Sequence, residues 1–147
     1  MKNHLLILIM LFTFTAGCKK PSKDAIISNG NYSGIFKVNV PDVSTPKTYL
    51  IFISFENGKF NIVPDLTRKP IGGSGTYSIN GNIASFVDKN FWTADFDWNL
   101  ILSGEYTIEI NGDNLTLTKR FEPDLDPKAS QSLYTSNSYQ YTLQRDN

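Results

Sequence analysis

Trp98-Asn-Leu-Ile-Leu-Ser-Gly-Glu-Tyr-Thr-Ile-Glu-Ile110 is the stretch on which the reading of this chain turns. Trp98, Leu100, Leu102, Tyr106, Ile108 and Ile110 fall on every second residue, Gly104 takes the small place in that series, and Ile101 is the apolar residue out of step. A period of two marks a strand with one buried and one wet face. Asn111-Gly112-Asp113 tolerates positive φ, and Leu115, Leu117 and Phe121 resume the alternation, so residues 98–121 read as a long β-hairpin. At about 3.3 Å per residue the first arm is too long to run straight in a small domain, and Gly104 is the expected bend.

Working outward, the same period recurs. Residues 31–40 set Tyr32, Phe36, Val38 and Val40 on one face. Residues 48–56 are apolar on both faces, with Tyr49, Ile51, Ile53 and Phe55 on one and Leu50 and Phe52 on the other. Strands are also expected at 59–63, 75–79, 82–87, 114–121 and 138–145. In 82–87, Ile83 and Phe86 lie three apart, which predicts a bulge. Asn57-Gly58 and Asn80-Gly81 are tight-turn signals. Between 122 and 137, Asp126-Pro127 supplies an N-cap carboxylate and a proline at the first helical position, predicting one short helix over 127–133 before the last strand. That helix is expected to cover Leu50 or Phe52 on the outside of the sheet.

Connection lengths turn these elements into a topology. Three links are tight and four are long, and in a meander successive links alternate between the two ends of the sheet. All the tight turns then gather at one end and all the long loops at the other. Eight meandering strands leave unprotected edges unless they close. The expected fold is all-β: an eight-stranded antiparallel up-and-down barrel.

Composition agrees. The 147 residues leave room for one domain, and 14 basic and 14 acidic side chains balance, so no strong field recruits nucleic acid or a membrane surface. Two Trp, seven Tyr and ten Phe suit half-buried strands. A single cysteine, Cys18, excludes an internal disulfide and any multi-cysteine metal site.

The beginning of the chain reads as an address. Lys2 precedes an apolar run from Leu5 to Phe14, too short for the roughly 20 residues of a membrane span, and Thr15-Ala16-Gly17-Cys18 follows. Residues 1–17 have the form of a secretory signal peptide. The cysteine after Ala-Gly resembles a bacterial lipobox, which implies diacylglyceryl attachment at Cys18, cleavage before it and acylation of the new amine. The plainer alternative is an ordinary signal peptide followed by an incidental free cysteine. With acylation, residues 18–29 form a lipidated tether and residues 30–147 the barrel domain, although Ala25-Ile26-Ile27 has the composition to dock on that domain. The membrane is then a partner through the N-terminal acyl anchor. By resemblance to lipoprotein sorting signals, Lys19-Lys20 favours the outer membrane, and the missing acidic cluster favours its periplasmic leaflet. The tether leaves from the tight-turn end, so the long loops are expected to point away from the membrane.

Cleavage would also remove His4, the only histidine. Without imidazole or free thiol, His-assisted nucleophilic catalysis and His or Cys zinc sites are not expected. Asp95-Phe-Asp97-Trp-Asn99 alternates oxygen ligands as a calcium loop does, but Leu100 and Tyr106 stand where glycine and glutamate belong. Asp124 and Asp126 could coordinate a weakly held ion, but a helix cap accounts for Asp126 more simply. Gly72-Gly73-Ser74-Gly75 lacks the lysine and following helix of a phosphate loop. No enzyme, metal or cofactor is expected.

Gly30-Asn31-Tyr32, opening the first strand, stands where lipocalins carry Gly-X-Trp, with Arg120 or Arg145 as the late arginine that packs over that ring. Gly75-Thr-Tyr-Ser-Ile79, Asp97-Trp-Asn-Leu-Ile-Leu102 with Gly104-Glu-Tyr106, and Tyr139-Gln-Tyr-Thr-Leu143 together resemble the lipocalin-like (calycin) domain of Bacteroidetes-type lipoproteins. The likeness covers about residues 30–145. Tyrosine replaces tryptophan at 32, no disulfide is possible, and the second lipocalin motif is not evident. The resemblance implies the barrel and, more loosely, small apolar ligands.

Tyr49, Phe91, Trp92, Phe96, Trp98 and Tyr134 all belong to the long-loop end and are the candidate ligand-binding residues. They either line the mouth of an apolar cavity or close that end as core. Two functions follow: an envelope protein holding a small apolar ligand at that end, or a solid barrel whose loops contact a protein or glycan.

Overall fold

A computed structural model describes residues 24–41, 43–63, 72–94, 97–121 and 138–146. Eight strands follow one another: β1 (Gly30–Asn39), β2 (Lys47–Glu56), β3 (Lys59–Ile62), β4 (Ser74–Asn80), β5 (Ile83–Asp88), β6 (Gly104–Asn111), β7 (Asn114–Lys119) and β8 (Ser138–Arg145). Each pairs antiparallel with the next, and β1 pairs with β8 from Tyr32↔Arg145 to Asn39↔Ser138, so the sheet is a closed barrel. The expected up-and-down barrel is the fold of this chain. Closure matters because it removes both free edges of an eight-stranded sheet.

Alternation selects the interior. Tyr32, Phe36 and Val38 of β1, Ile51, Ile53 and Phe55 of β2, Tyr106 and Ile108 of β6, Leu115 and Leu117 of β7, and Tyr139, Tyr141 and Leu143 of β8 are all buried. Burying a large apolar side chain of this kind contributes about 1.5–3 kcal/mol. The interior is therefore a continuous side-chain core. Its middle holds Phe36, Tyr106, Tyr141 and Leu117, none of them measurably exposed.

The ends differ as expected. Asn57 and Gly58 take φ of 50° and 75°, the paired left-handed conformations of a type I′ turn. Gly81 and Gly112, with φ of 62° and 60°, take the first central position of the β4–β5 and β6–β7 turns. These three turns share one rim with the start of β1 and the end of β8. Across that rim runs Asp24–Asn29, where Ile27 is buried and Ala25 packs against the core while Ile26 faces solvent. The strand ends that lead into the long connections lie at the other rim.

Two positions need glycine for close approach. A Cβ on Gly34 would lie 2.0 Å from the Thr142 carbonyl oxygen, and one on Gly75 would lie 1.9 Å from that of Val87.

Three expectations are corrected. Trp98–Leu100 is a turn of 3₁₀ helix, not strand. Asp97 caps it by accepting from Asn99 N at 3.0 Å, and Leu100 N and Ile101 N bond to Asp97 O and Trp98 O. The turn rotates the chain, so consecutive Ile101 and Leu102 are both buried while Trp98 is 55% exposed. Gly104, at φ 93°, is where the strand begins. In β5 the pairing is unbroken from Gly75↔Asp88 to Asn80↔Ile83, with no bulge, because the inward residues are Ala84 and Phe86 rather than Ile83. Finally, Leu50 and Phe52 remain exposed on the outer wall. The helix expected over 127–133, the signal segment 1–17, Cys18, Phe96 and Tyr134 lie outside the described residues.

Candidate functional site at the long-loop rim

The rim is built from the last residues of β1, β3, β5 and β7 and the first of β2, β4, β6 and β8. Asp88 organises one side of it. Its Oδ1 accepts from Ser74 N at 3.3 Å and Asn90 Nδ2 at 2.6 Å, and its Oδ2 accepts from the indole N–H of Trp92. Asn90 Nδ2 also donates to Ser74 O at 3.1 Å. Trp92 is thereby held down beside Gly73, half-buried.

The remaining predicted site residues divide. Tyr49 is half-buried and stacks on Phe36 with ring centroids 6.1 Å apart, so its ring belongs to the upper layer of the core. Phe91 is fully exposed and Trp98 more than half exposed, both facing solvent. The four described members of the predicted aromatic crown therefore divide into core, loop anchor and exposed surface.

Lys119 was not singled out by the sequence, yet it is the most unusual side chain at this rim. It follows Leu115 and Leu117 on the inward face of β7, and the strict alternation between them was the signal available. Its ammonium lies 6.0 Å from the Tyr106 ring centroid and 5.8 Å from that of Tyr139, within cation–π range. Desolvation by its surroundings pulls its pKa down, and the Asp97 carboxylate opposes that shift. Nearby, Arg120 Nη1 pairs with Glu105 Oε2 at 3.0 Å, but both side chains are over two-fifths exposed, so this pair contributes about 1 kcal/mol or less.

Below this layer the barrel is filled. Phe36 stacks on Tyr141 at 4.4 Å and on Tyr139 at 6.3 Å, and Phe86 meets Tyr106 edge-on at 5.5 Å. A small barrel is just wide enough to be filled this way. The larger hollows found lie on the outer wall: about 530 Å³ beside Ile35, Leu50 and Phe52, and about 350 Å³ beside Ser54, Lys59 and Thr76. Among the described residues no group of three or more His, Cys, Asp or Glu is placed to hold a metal ion. No described helix is long and apolar enough to cross a membrane.

At the opposite rim, Arg145 lies against Gly30, where a Cβ would meet its Nε at 3.0 Å, and Tyr32 donates its hydroxyl proton to Ser28 O at 3.0 Å. Of the two candidate arginines, Arg145 is therefore beside the Gly30-Asn-Tyr32 opening, while Arg120 stands at the other end. No known family matches the chain, nor does any curated protein or solved structure.

Proposed function

We propose that this chain is a lipid-anchored lipoprotein of the cell envelope, acylated at Cys18 and facing the periplasm from the outer membrane. Its solid, lipocalin-like barrel serves as a rigid stand for a binding rim, and the long loops contact a protein or glycan partner. The observation that carries this reading is the filled centre, where Phe36, Tyr106, Tyr141 and Leu117 are fully buried in one core cluster. Solvent-facing Phe91 and Trp98 supply aromatic contact area of the kind that dominates interfaces. A photo-crosslinking residue at Phe91, in cells making the full-length chain, should capture one discrete envelope partner. An equal yield from a crosslinker at Thr142, on the outer wall, would remove the reading.

A second reading has one observation in its favour. Lys119, facing inward over Tyr106 and Tyr139, suits the anionic head of a small apolar ligand seated at the mouth rather than within the barrel. Native mass spectrometry after exposure to a lipid extract separates the two. A retained apolar mass that disappears in Lys119→Met supports the ligand, and a clean apo mass supports the solid binding module.

A further inference from the structure

The outer wall of the barrel is not uniform. On β6, β7 and β8 its outward residues are polar, among them Glu105, Thr107, Thr116 and Gln140. On β1 and β2 they include Ile35, Leu50 and Phe52, and Val63 joins them just past the end of β3. Ile35 stands opposite Leu50 in the ladder, and Val63 N donates to Phe52 O at 3.0 Å, so the four side chains form one patch. Leu50, Phe52 and Val63 are each more than half exposed. The Phe52 ring divides two hollows, one of about 530 Å³ towards Ile35 and Thr142 and one of about 320 Å³ towards Ser54 and Val63. The wall thus presents both a projecting ring and recesses of a size to receive one. A contiguous exposed apolar patch with a polar border marks an interaction surface.

The charges stand only at the two ends of this patch. At the long-loop end is Lys37, opposite Thr48 and without an ion-pair partner among the described residues. Lys47 begins β2 at the same end. At the tight-turn end is Asp146, whose N donates to Asn31 O at 2.8 Å, level with Ser54. Its Oδ1 accepts from Ser33 Oγ at 2.7 Å, which leaves Oδ2 for a second partner. Glu56 at that end faces Lys59 of its own ladder, and Arg145 lies against Gly30. Thr48 and Ser54 are equally far from Ile51 along β2. A two-fold axis across the strands at the level of Ile51 therefore sets Leu50 of one copy on Phe52 of the other, and brings Lys37 of each towards Asp146 of its mate. Sheet faces pack about 10 Å apart, a gap that a lysine and an aspartate side chain bridge together.

We propose that the outer wall of β1 and β2 is the interface of a homodimer, with a second copy seated face to face and antiparallel on Ile35, Leu50, Phe52 and Val63. A two-fold interface must complement itself, and this patch does so in both shape and charge. The two long-loop rims then open in opposite directions. This dimer needs neither acylation at Cys18 nor a partner at the long-loop rim.

The test uses the full-length chain in the cells that make it. A photo-crosslinking residue replaces Leu50, and the products are sized and mapped by peptide mass. A product of twice the chain's mass, joining residue 50 to the strand that holds Phe52, supports the proposal. A crosslinker at Thr142, beside the same hollow, should give the same doubled mass, distinct from an envelope partner caught at Phe91. Phe52→Ser should lower the yield several-fold, and so should Lys37→Glu, which sets like charges together. Lys37→Glu combined with Asp146→Lys should regain it, a rescue that a folding defect would not show. A product with a different protein, a link within one chain, or no product from the folded chain overturns the second copy as occupant. So does a doubled mass that neither Phe52→Ser nor the charge reversal changes.

Discussion

Phe36 of β1 and Tyr141 of β8 stand opposite one another across the seam that closes the barrel, and their rings stack with centroids 4.4 Å apart and planes 23° apart. Residues from the first and last strands thus pack against each other inside the barrel. Neither ring has measurable exposure to solvent.

Truncation at this seam leaves a cavity that the surrounding strands cannot close. Phe36→Ala is expected to destabilise the protein by about 3–5 kcal/mol, read as a lower urea midpoint at unchanged slope. Tyr141→Phe should behave differently. The Tyr141 hydroxyl is fully buried beside the Tyr106 phenol with no well-formed hydrogen bond among the described residues, so its removal is expected to be neutral or stabilising by about 1 kcal/mol.

The same tyrosines set a limit at high pH. Burial, the largest cause, holds Tyr106 and Tyr141 well above the ordinary 10.0, and raises Tyr32 and Tyr77 as well. Folding therefore favours the protonated phenols. Their contribution is fully present below pH 10 and is lost as pH rises towards the raised folded values, because the unfolded chain releases these protons first. Lys119, whose pKa is lowered by desolvation, works in the opposite direction just below its ordinary 10.5, as the unfolded chain then holds the extra proton. With several tyrosines against one lysine, the urea midpoint is expected to fall above pH 10. Tyrosinate absorbance should rise late and together with loss of tertiary signal. Smooth ionisation of every tyrosine near pH 10 without unfolding would contradict this.

Glycines at two kinds of position should separate cleanly. Gly34→Ala places a methyl group 2.0 Å from the Thr142 carbonyl oxygen, a backbone atom that cannot step aside, so a loss of about 3 kcal/mol or more is expected. Gly104→Ala meets nothing within 4 Å and carries only the strain of φ 93°, on the order of 1–2 kcal/mol. Thermal melts of the two variants side by side provide the comparison.

The two tryptophans should also diverge. Trp98→Ala removes a side chain that is 55% exposed and should cost about 1 kcal/mol or less. Asp88→Ala removes the carboxylate that accepts from Ser74 N, Asn90 Nδ2 and Trp92 Nε1, leaves Asn90 Nδ2 its bond to Ser74 O, and should cost about 2 kcal/mol. Acrylamide should quench Trp98 more strongly than Trp92, as read in single-tryptophan variants.

By itself, the sequence determined the strands, their order and the sorting of tight and long links between two rims. Those features are local: the pleat sends alternate side chains to opposite faces, and Asn57-Gly58 or Gly112 turns the chain whatever surrounds it. The buried faces of β1, β2, β7 and β8 were legible for the same reason. Tertiary structure alone decided what depends on distant neighbours. It exchanged Trp98 for Ile101 in the core, because a capped 3₁₀ turn rotates the chain before Gly104. It turned Ala84 inward in β5, and set Lys119 over the rings of two other strands. It joined Ser33 to Asp146, 113 residues on, and laid Asp24–Asn29 across the tight turns. Periodicity reports which face a residue shares with its neighbours in sequence; curvature, closure and docking decide what that face meets.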